Sequence, residues 1–280
     1  MTDALRDVEA VTFDFGNTLV AVSRDGLRAV VDHTASGVVE ADPRIDRAAF
    51  LRLWGEERER QFREEVPQFR EVDLAERLVR VYARLRGMTP PPADERWDQE
   101  AAASLSDPAE VDRAVELYSR AFVAGLRPMP GAGELLRTLA VDRSVAILSN
   151  WPLAATVDRY AEAHGWTDVL AAIVVSQRVG TIKPHPAIFE AARVALGSLP
   201  AAAILHVGDD WAADVVGALD VGWRAAWLRA RPDDSPLPSS ERAGPHEADV
   251  QIDDIRELVP LLGGRRRTSE RGPARSAAAR

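Results

Sequence analysis

The feature that most restricts the fold is an interruption. One strand-like run, Ala10-Val-Thr-Phe-Asp-Phe15, stands near the start of the chain, and the pattern then turns helical from about Ala21 to Phe122 before strands resume. The run is short, apolar and β-branched, and it ends in a polar turn at Gly16-Asn17-Thr18, as a buried strand does. Helical periodicity follows at Asp46 to Arg63, Asp73 to Arg86 and Pro108 to Phe122, with a break at Pro90-Pro91-Pro92. The helical stretch therefore reads as an insert in a sheet-forming chain.

After Pro128-Met-Pro-Gly-Ala-Gly133 comes a helix to about Ala140, and strands then alternate with helices in the way that builds a parallel sheet. The predicted strands are Ser144 to Ser149, Ala171 to Ser176, Ala202 to Val207 and Arg224 to Leu228. Residues 231–247, rich in Pro, Ser and charge, read as a loop, and Ala248 to Leu262 as a last strand and helix. The expected layout is core at 1–20, an all-helical cap at 21–122, core again at 123–263, and a disordered basic tail at 264–280.

Composition excludes several classes. A chain of 280 residues with 46% hydrophobic content can bury a large core. Its formal charge of -9 leaves no electrostatic footprint for nucleic acid, although the stretch from Arg265 to Arg280 is locally basic. The absence of cysteine excludes disulfides, thiol catalysis and thiolate metal sites. No signal-peptide pattern opens the chain, and no apolar run approaches the roughly 18–20 residues of a membrane helix. The expectation is a soluble, cytoplasmic monomer or homodimer with no membrane partner.

Chemistry-bearing residues fall where the strands end. In open α/β sheets, ligands sit beyond the carboxyl ends of the strands. The first strand delivers Asp14 and the second ends in Ser149-Asn150. The third leads to Lys183, and the fourth ends in Gly208-Asp209-Asp210, followed by Asp214. Lys183 is the sole lysine beside 34 arginines. A lysine offers a compact point charge where a crowded anionic centre rejects the wide guanidinium fork.

Asp14 and Asp209, with Asp210 or Asp214, would place several carboxylates in one cleft, which requires a neutralising cation. An oxygen-only ligand set with no His or Cys nearby in sequence suits Mg²⁺ paired with a substrate phosphate. Lys183 and the Ser149 hydroxyl would hold the remaining oxygens of the anion. The turn from Phe15 through Asn17 to Thr18 offers backbone donors to the same group. One carboxylate is left to attack, forming an acyl phosphate that water cleaves.

The residues Asp14-Phe-Gly-Asn-Thr18, Ser149, Lys183-Pro184 and Gly208-Asp-Asp-Trp-Ala-Ala-Asp214 together resemble the motifs of the haloacid dehalogenase superfamily, over roughly residues 9–262. The resemblance implies a Rossmann-like α/β core with an inserted helical cap. It implies Asp14 as the nucleophile, with Ser149 and Lys183 binding the transferred group. It further implies Mg²⁺ held by Asp14, Asp209, Asp210 or Asp214, and the main-chain carbonyl of Gly16. Asn17, Thr18, Asn150 and Trp151 are the expected substrate-binding residues.

One departure stands out. Phosphatases of the superfamily usually carry a second Asp two residues after the nucleophile as general acid and base, and here that position is Gly16. Losing a positioned acid forfeits roughly 10²- to 10⁴-fold in rate. Four explanations stay open: a leaving group that needs little protonation, a substitute acid such as His185 or Asp210, cleavage of a carbon–halogen or carbon–phosphorus bond, or binding without turnover. The paired acids at the fourth motif favour a metal and phosphoryl chemistry, and the lack of a second lysine disfavours Schiff-base chemistry on phosphonates. The expected activity is a Mg²⁺-dependent hydrolase of a small phosphorylated metabolite, with a 2-haloacid dehalogenase or an idle phospho-ligand binder as alternatives.

The cap should close over the site and set substrate choice. Arg24 and Arg28 could clamp a substrate anion but read as solvated, and Trp54, Phe62 and Phe69 read as cap core. Trp151 and Trp211 follow the second and fourth motifs closely enough to be either pocket wall or packing.

Overall fold

The computed structural model describes residues 5, 7–91 and 99–263. The expected basic tail, and Pro92 of the proline break, lie outside them. The element order is β1 (Ala10–Phe13), α1 (Arg24–Ala41), α2 (Arg47–Glu64), α3 (Leu74–Leu85), α4 (Gln99–Leu105), α5 (Pro108–Gly125), α6 (Ala132–Leu139), β2 (Ser144–Ser149) and α7 (Ala154–Ala163). It continues with β3 (Ala172–Val175), α8 (Ser176–Val179), α9 (Pro186–Ala195), β4 (Ile204–Gly208), α10 (Gly217–Asp220), β5 (Arg224–Leu228), β6 (Val250–Ile252) and α11 (Leu258–Leu262).

The six strands form one parallel sheet in the order β3-β2-β1-β4-β5-β6. Alternation along each strand builds two apolar layers. Val11 and Phe13 of β1 and Val145 and Ile147 of β2 pack into one, while Ala10, Ala146 and Leu148 pack into the other with Phe189, Trp211 and Trp223. The chain reverses its direction of growth at β1, flanked by β2 and β4, so a crevice opens beyond the carboxyl ends of β1 and β4. The loops carrying Asp14 and Asp209 meet there.

Helices α1 to α5 form the insert between β1 and the rest of the sheet. Their starts follow local chemistry: the side chains of Ser23, Asp46, Asp73 and Asp107 accept hydrogen bonds from first-turn N–H groups of α1, α2, α3 and α5, and Pro108 opens α5. An aromatic path joins insert to core. Trp54 stacks on Tyr118 at 6.0 Å, Tyr118 on Phe122 at 6.3 Å, and Phe122 on Phe15 at 6.0 Å, while Phe122 meets the edge of Trp151 at 5.1 Å. The insert thus packs directly on the residue after Asp14.

Differences from the sequence reading are local. β1 stops at Phe13, which frees Asp14 and Phe15 to enter the turn, and β3 gives way at Ser176 to the short helix α8. Ala201–Ala203 forms a 3₁₀ turn after Pro200, so β4 starts at Ile204 and runs to Gly208. Among the described residues no helix is long and apolar enough to cross a membrane.

Candidate active site

Asp14 leaves the end of β1 with its backbone N–H donating to Val207 O at 2.9 Å, which ties the first motif to β4. Its Oδ1 accepts from Ser149 Oγ at 2.9 Å and from Lys183 Nζ at 2.8 Å. Among the described residues Oδ2 accepts no hydrogen bond. One oxygen of the carboxylate is fixed and the other is free.

Lys183 is 2% exposed, and all of its donors are engaged. Its ammonium bonds Asp14 Oδ1, Asp214 Oδ1 at 2.7 Å and Leu148 O at 2.9 Å. Asn150 grips its backbone in both directions, accepting from Lys183 N at 2.7 Å and donating to Lys183 O at 3.0 Å. The expected substrate contact Asn150 therefore has its amide committed to positioning Lys183, although the residue also lines the cavity. Three acceptors gathered around one small cation explain why a lysine stands here among arginines.

Asp14, Asp209 and Asp214 each offer an oxygen within 4.8 Å of the others. Burial, then repulsion from Asp14 and Asp214, holds the Asp209 carboxyl well above its usual value. Burial likewise raises Asp14 against the pull of Lys183. Asp214 is also buried, but Lys183 and His206 hold its carboxyl well below the usual carboxylate range. The group carries three carboxylates against the cations Lys183 and Arg231, so an oxygen-only set with negative charge in excess fits a hard divalent cation such as Mg²⁺.

Asp210 does not join this group. Its Oδ1 accepts from Ala213 N at 2.8 Å and Ser240 Oγ at 2.7 Å, and its Oδ2 from Ser240 N at 2.8 Å. It caps the π-helical turn Trp211–Val216 and anchors the loop after β5. Gly208 lets the chain pass the acids: a Cβ there would meet the Asp214 carboxylate at 2.2 Å.

Asn17 adopts φ 59° and donates to Asp209 Oδ2 at 3.3 Å and Ser235 Oγ at 3.0 Å, while its own N–H is spent on Val20 O at 2.7 Å. Thr18 is fully buried and does not line the cavity, and its hydroxyl has no hydrogen-bond partner among the described residues. Trp151 does line the cavity, and its buried indole N–H likewise has no partner among the described residues. Trp211 is packing: it lies edge-on to Trp227 at 5.0 Å and donates to Ala243 O. His185, considered as a substitute acid, caps α9 through Ala187 N and does not line the cavity.

The space at Gly16 is taken. A Cβ there would meet Leu237 Cδ1 at 2.5 Å and Trp151 Cζ3 at 3.1 Å. Leu237 belongs to the loop after β5, whose Ser235 holds Asn17, whose Ser240 holds Asp210, and whose Arg231 approaches Asp209 to 3.2 Å. The sequence reading of 231–247 as a loop was correct in form and silent about this contact with the site.

The cavity has a volume of about 330 Å³ and lies between these loops and the insert. Arg58, Phe62, Phe69, Arg77 and Tyr118 bring the insert into its wall, so Phe62 and Phe69 are not core as expected, whereas Trp54 is. Arg24 and Arg28 are exposed and do not line it. His206 was missed altogether. It sits in β4 opposite Thr12 of β1, with Nδ1 2.8 Å from Thr12 Oγ1 and Nε2 3.1 Å from Asp214 Oδ1. Burial and Lys183 lower its pKa, so it stays neutral and supports Asp214 by hydrogen bonding. Two polar residues inside otherwise apolar strands were the available signal.

A sequence model described as haloacid dehalogenase-like hydrolase matches residues 8–222. Curated relatives include pyrimidine 5'-nucleotidase YjjG of Escherichia coli (strain K12), 29% identical over 121 residues, which are 43% of this chain and 53% of that protein. Ribulose-1,5-bisphosphate 5-phosphatase of Halopiger xanaduensis is 29% identical over 149 residues, 52% of this chain and 62% of that one. The chain thus spans about half to three-fifths of the length of these relatives. Among solved structures, 2-haloacid dehalogenase from Pseudomonas syringae pv. Tomato DC3000 superposes with a TM-score of 0.60 at 23% identity, covering 91% of this chain and 97% of that one. A HAD phosphatase from Thermococcus onnurineus gives 0.57 at 21% identity, covering 92% and 100%. At such identities the likeness concerns the fold.

Proposed function

Because the chain belongs to the haloacid dehalogenase-like hydrolases, we propose that it hydrolyses a small phosphorylated metabolite, with Asp14 as the nucleophile. The observation that carries this reading is the asymmetry of the Asp14 carboxylate, one oxygen pinned by Lys183 and Ser149 and the other without a hydrogen bond among the described residues. Phosphatase and nucleotidase names among the curated relatives support it.

In this reading Asp14 Oδ2 attacks phosphorus, the bond from phosphorus to the leaving oxygen breaks, and an aspartyl-phosphate forms. Water then attacks that phosphorus and returns the carboxylate with release of inorganic phosphate. Lys183 and Ser149 orient Asp14 and balance charge on the transferred group. Asp14, Asp209, Asp214 and the carbonyl of Gly16 would hold Mg²⁺, which supplies charge neutralisation to the phosphoryl oxygens when bound. With Leu237 against Gly16, no side chain there donates a proton to the leaving group. Acyl and aryl phosphates, whose leaving groups depart as stable anions, are the favoured substrates.

Phosphate release from acyl, aryl and alkyl phosphates with Mg²⁺ tests this, with Asp14→Asn as the blank. The expected result is turnover that requires both Asp14 and metal, in the order acyl and aryl above alkyl. No release above the blank would remove the phosphatase reading.

The same Leu237 contact favours a second reading, hydrolysis of a carbon–halogen bond, because halide leaves without a proton. There Asp14 Oδ2 would attack carbon, halide would depart, and water would cleave the resulting ester. Halide release from a 2-haloacid that persists in chelator would select it.

A further inference from the structure

We propose that the cavity contains a second anion subsite, formed by Arg58 of α2 and Arg77 of α3, and that the substrate carries a carboxylate or second phosphate across an apolar spacer from the group that Asp14 attacks. The proposal rests on the hydrolytic reading only for the identity of the attacked group.

Both arginines line the same cavity as Asp14 and Lys183. Their neighbours in the cap are neutralised: Arg60, Arg80 and Arg84 all pair with the buried Glu57, at 2.7, 2.8 and 2.9 Å. Among the described residues Arg58 and Arg77 form no ion pair. Neutral groups hold them instead. Arg58 lies 4.7 Å over the Phe62 ring and donates to Pro236 O at 3.3 Å. Arg77 lies 5.5 Å over the Trp54 ring and donates to Gln61 Oε1 at 2.8 Å and Val72 O at 3.3 Å.

Such partners orient a guanidinium without cancelling its charge, which is the arrangement that recognises a carboxylate or phosphate. Arg77 is 5% exposed, and burial pushes it down to about 10 and lowers Arg58 as well, so both charges are held in a medium that disfavours them. An incoming anion relieves that penalty. Tyr118, also on the cavity wall and 5% exposed, has a hydroxyl with no hydrogen bond among the described residues and is a further donor. Phe62, Val66, Ile182 and Leu237 line the same cavity and suit an apolar spacer. Arg58 also binds the loop that carries Leu237, so the subsite spans cap and core.

The test compares kcat/KM for phenyl phosphate, 4-carboxyphenyl phosphate and hydroquinone bisphosphate, in the wild type and in Arg58→Gln and Arg77→Gln. The expected wild-type preference for a second anion is about tenfold or more, carried by KM, and it falls toward one in the variants. The better of the two doubly anionic substrates identifies carboxylate or phosphate. Calorimetric binding of phenylphosphonate and 4-carboxyphenylphosphonate reads the subsite without turnover. Tighter binding of the carboxylated ligand, lost in Arg58→Gln, upholds the subsite even if nothing is hydrolysed, in which case only the hydrolytic reading falls. Equal binding and equal kcat/KM in the wild type, or a preference unchanged in the variants, overturns the proposal. Should Arg77→Gln fail to fold, Arg58→Gln at its half-buried position decides alone.

Discussion

Arg231 stands 3.2 Å from Asp209, against the same Oδ2 that accepts from Asn17. The contact has ion-pair distance without hydrogen-bond alignment, since Arg231 Nη1 has no hydrogen-bond partner among the described residues. A loop guanidinium therefore competes with any metal for Asp209, an acid whose charge burial already disfavours.

Arg231→Gln is expected to tighten Mg²⁺ binding on the order of fivefold, the equivalent of about 1 kcal/mol of competing ion pair. Calorimetric titration of Mg²⁺ into the substrate-free protein measures it. Unchanged or weaker affinity would show that Arg231 supports Asp209 rather than competing for it.

Lys183→Met removes the cation shared by Asp14 and Asp214 and leaves two buried carboxylates facing each other. The expected loss of stability is about 3–5 kcal/mol at neutral pH, as for other broken buried pairs. Chemical denaturation with and without Mg²⁺ should show partial recovery with the ion. A variant as stable as the wild type without metal would contradict the charge balance drawn here.

Glu76 in α3 gives the chain a pH dependence away from the site. Burial, then the charges of Glu65 and Asp73, raises its carboxyl from 4.5 to about 7. The folded state keeps a proton that the unfolded chain releases, so this contribution is full below pH 4.5 and is lost as pH rises through about 7. Glu76→Gln should raise the melting temperature at pH 8 and flatten its decline between pH 5 and pH 8. Parallel curves for the two proteins would sink the assignment.

Gly208→Ala should destabilise by about 1–3 kcal/mol, because the added methyl overlaps the Asp214 carboxylate in a packed interior. Thermal melting reads the loss, and Mg²⁺ titration reads the displaced acid. A neutral effect on both would mean that Asp214 can move without consequence.

The sheet was legible because its strands alternate between two apolar layers and its helices start at Ser, Asp and Pro residues with local reasons to be there. Asp14, Ser149, Lys183, Asp209 and Asp214 were legible because parallel strands deliver their following residues to one edge. Arg58 and Arg77 were not, since helical spacing says which residues share a face but not which face the core will leave beside a cavity. Arg24 and Arg28 lie nearer the first motif in sequence and yet face solvent. Residues 231–240 have no periodicity, so nothing local could indicate that Leu237 would rest on Gly16. Asp210 was drawn into the wrong company by proximity in sequence, its carboxylate being needed at the start of the π-helical turn.

The contact of Leu237 with Gly16 also ties together two positions far apart in the chain. An acid introduced at 16 would press its Cβ on the terminal methyl of Leu237, so that side chain has to turn aside to admit it. The room for a proton donor beside Asp14 is thus set by a loop residue far along the chain and not by the sheet that delivers Asp14.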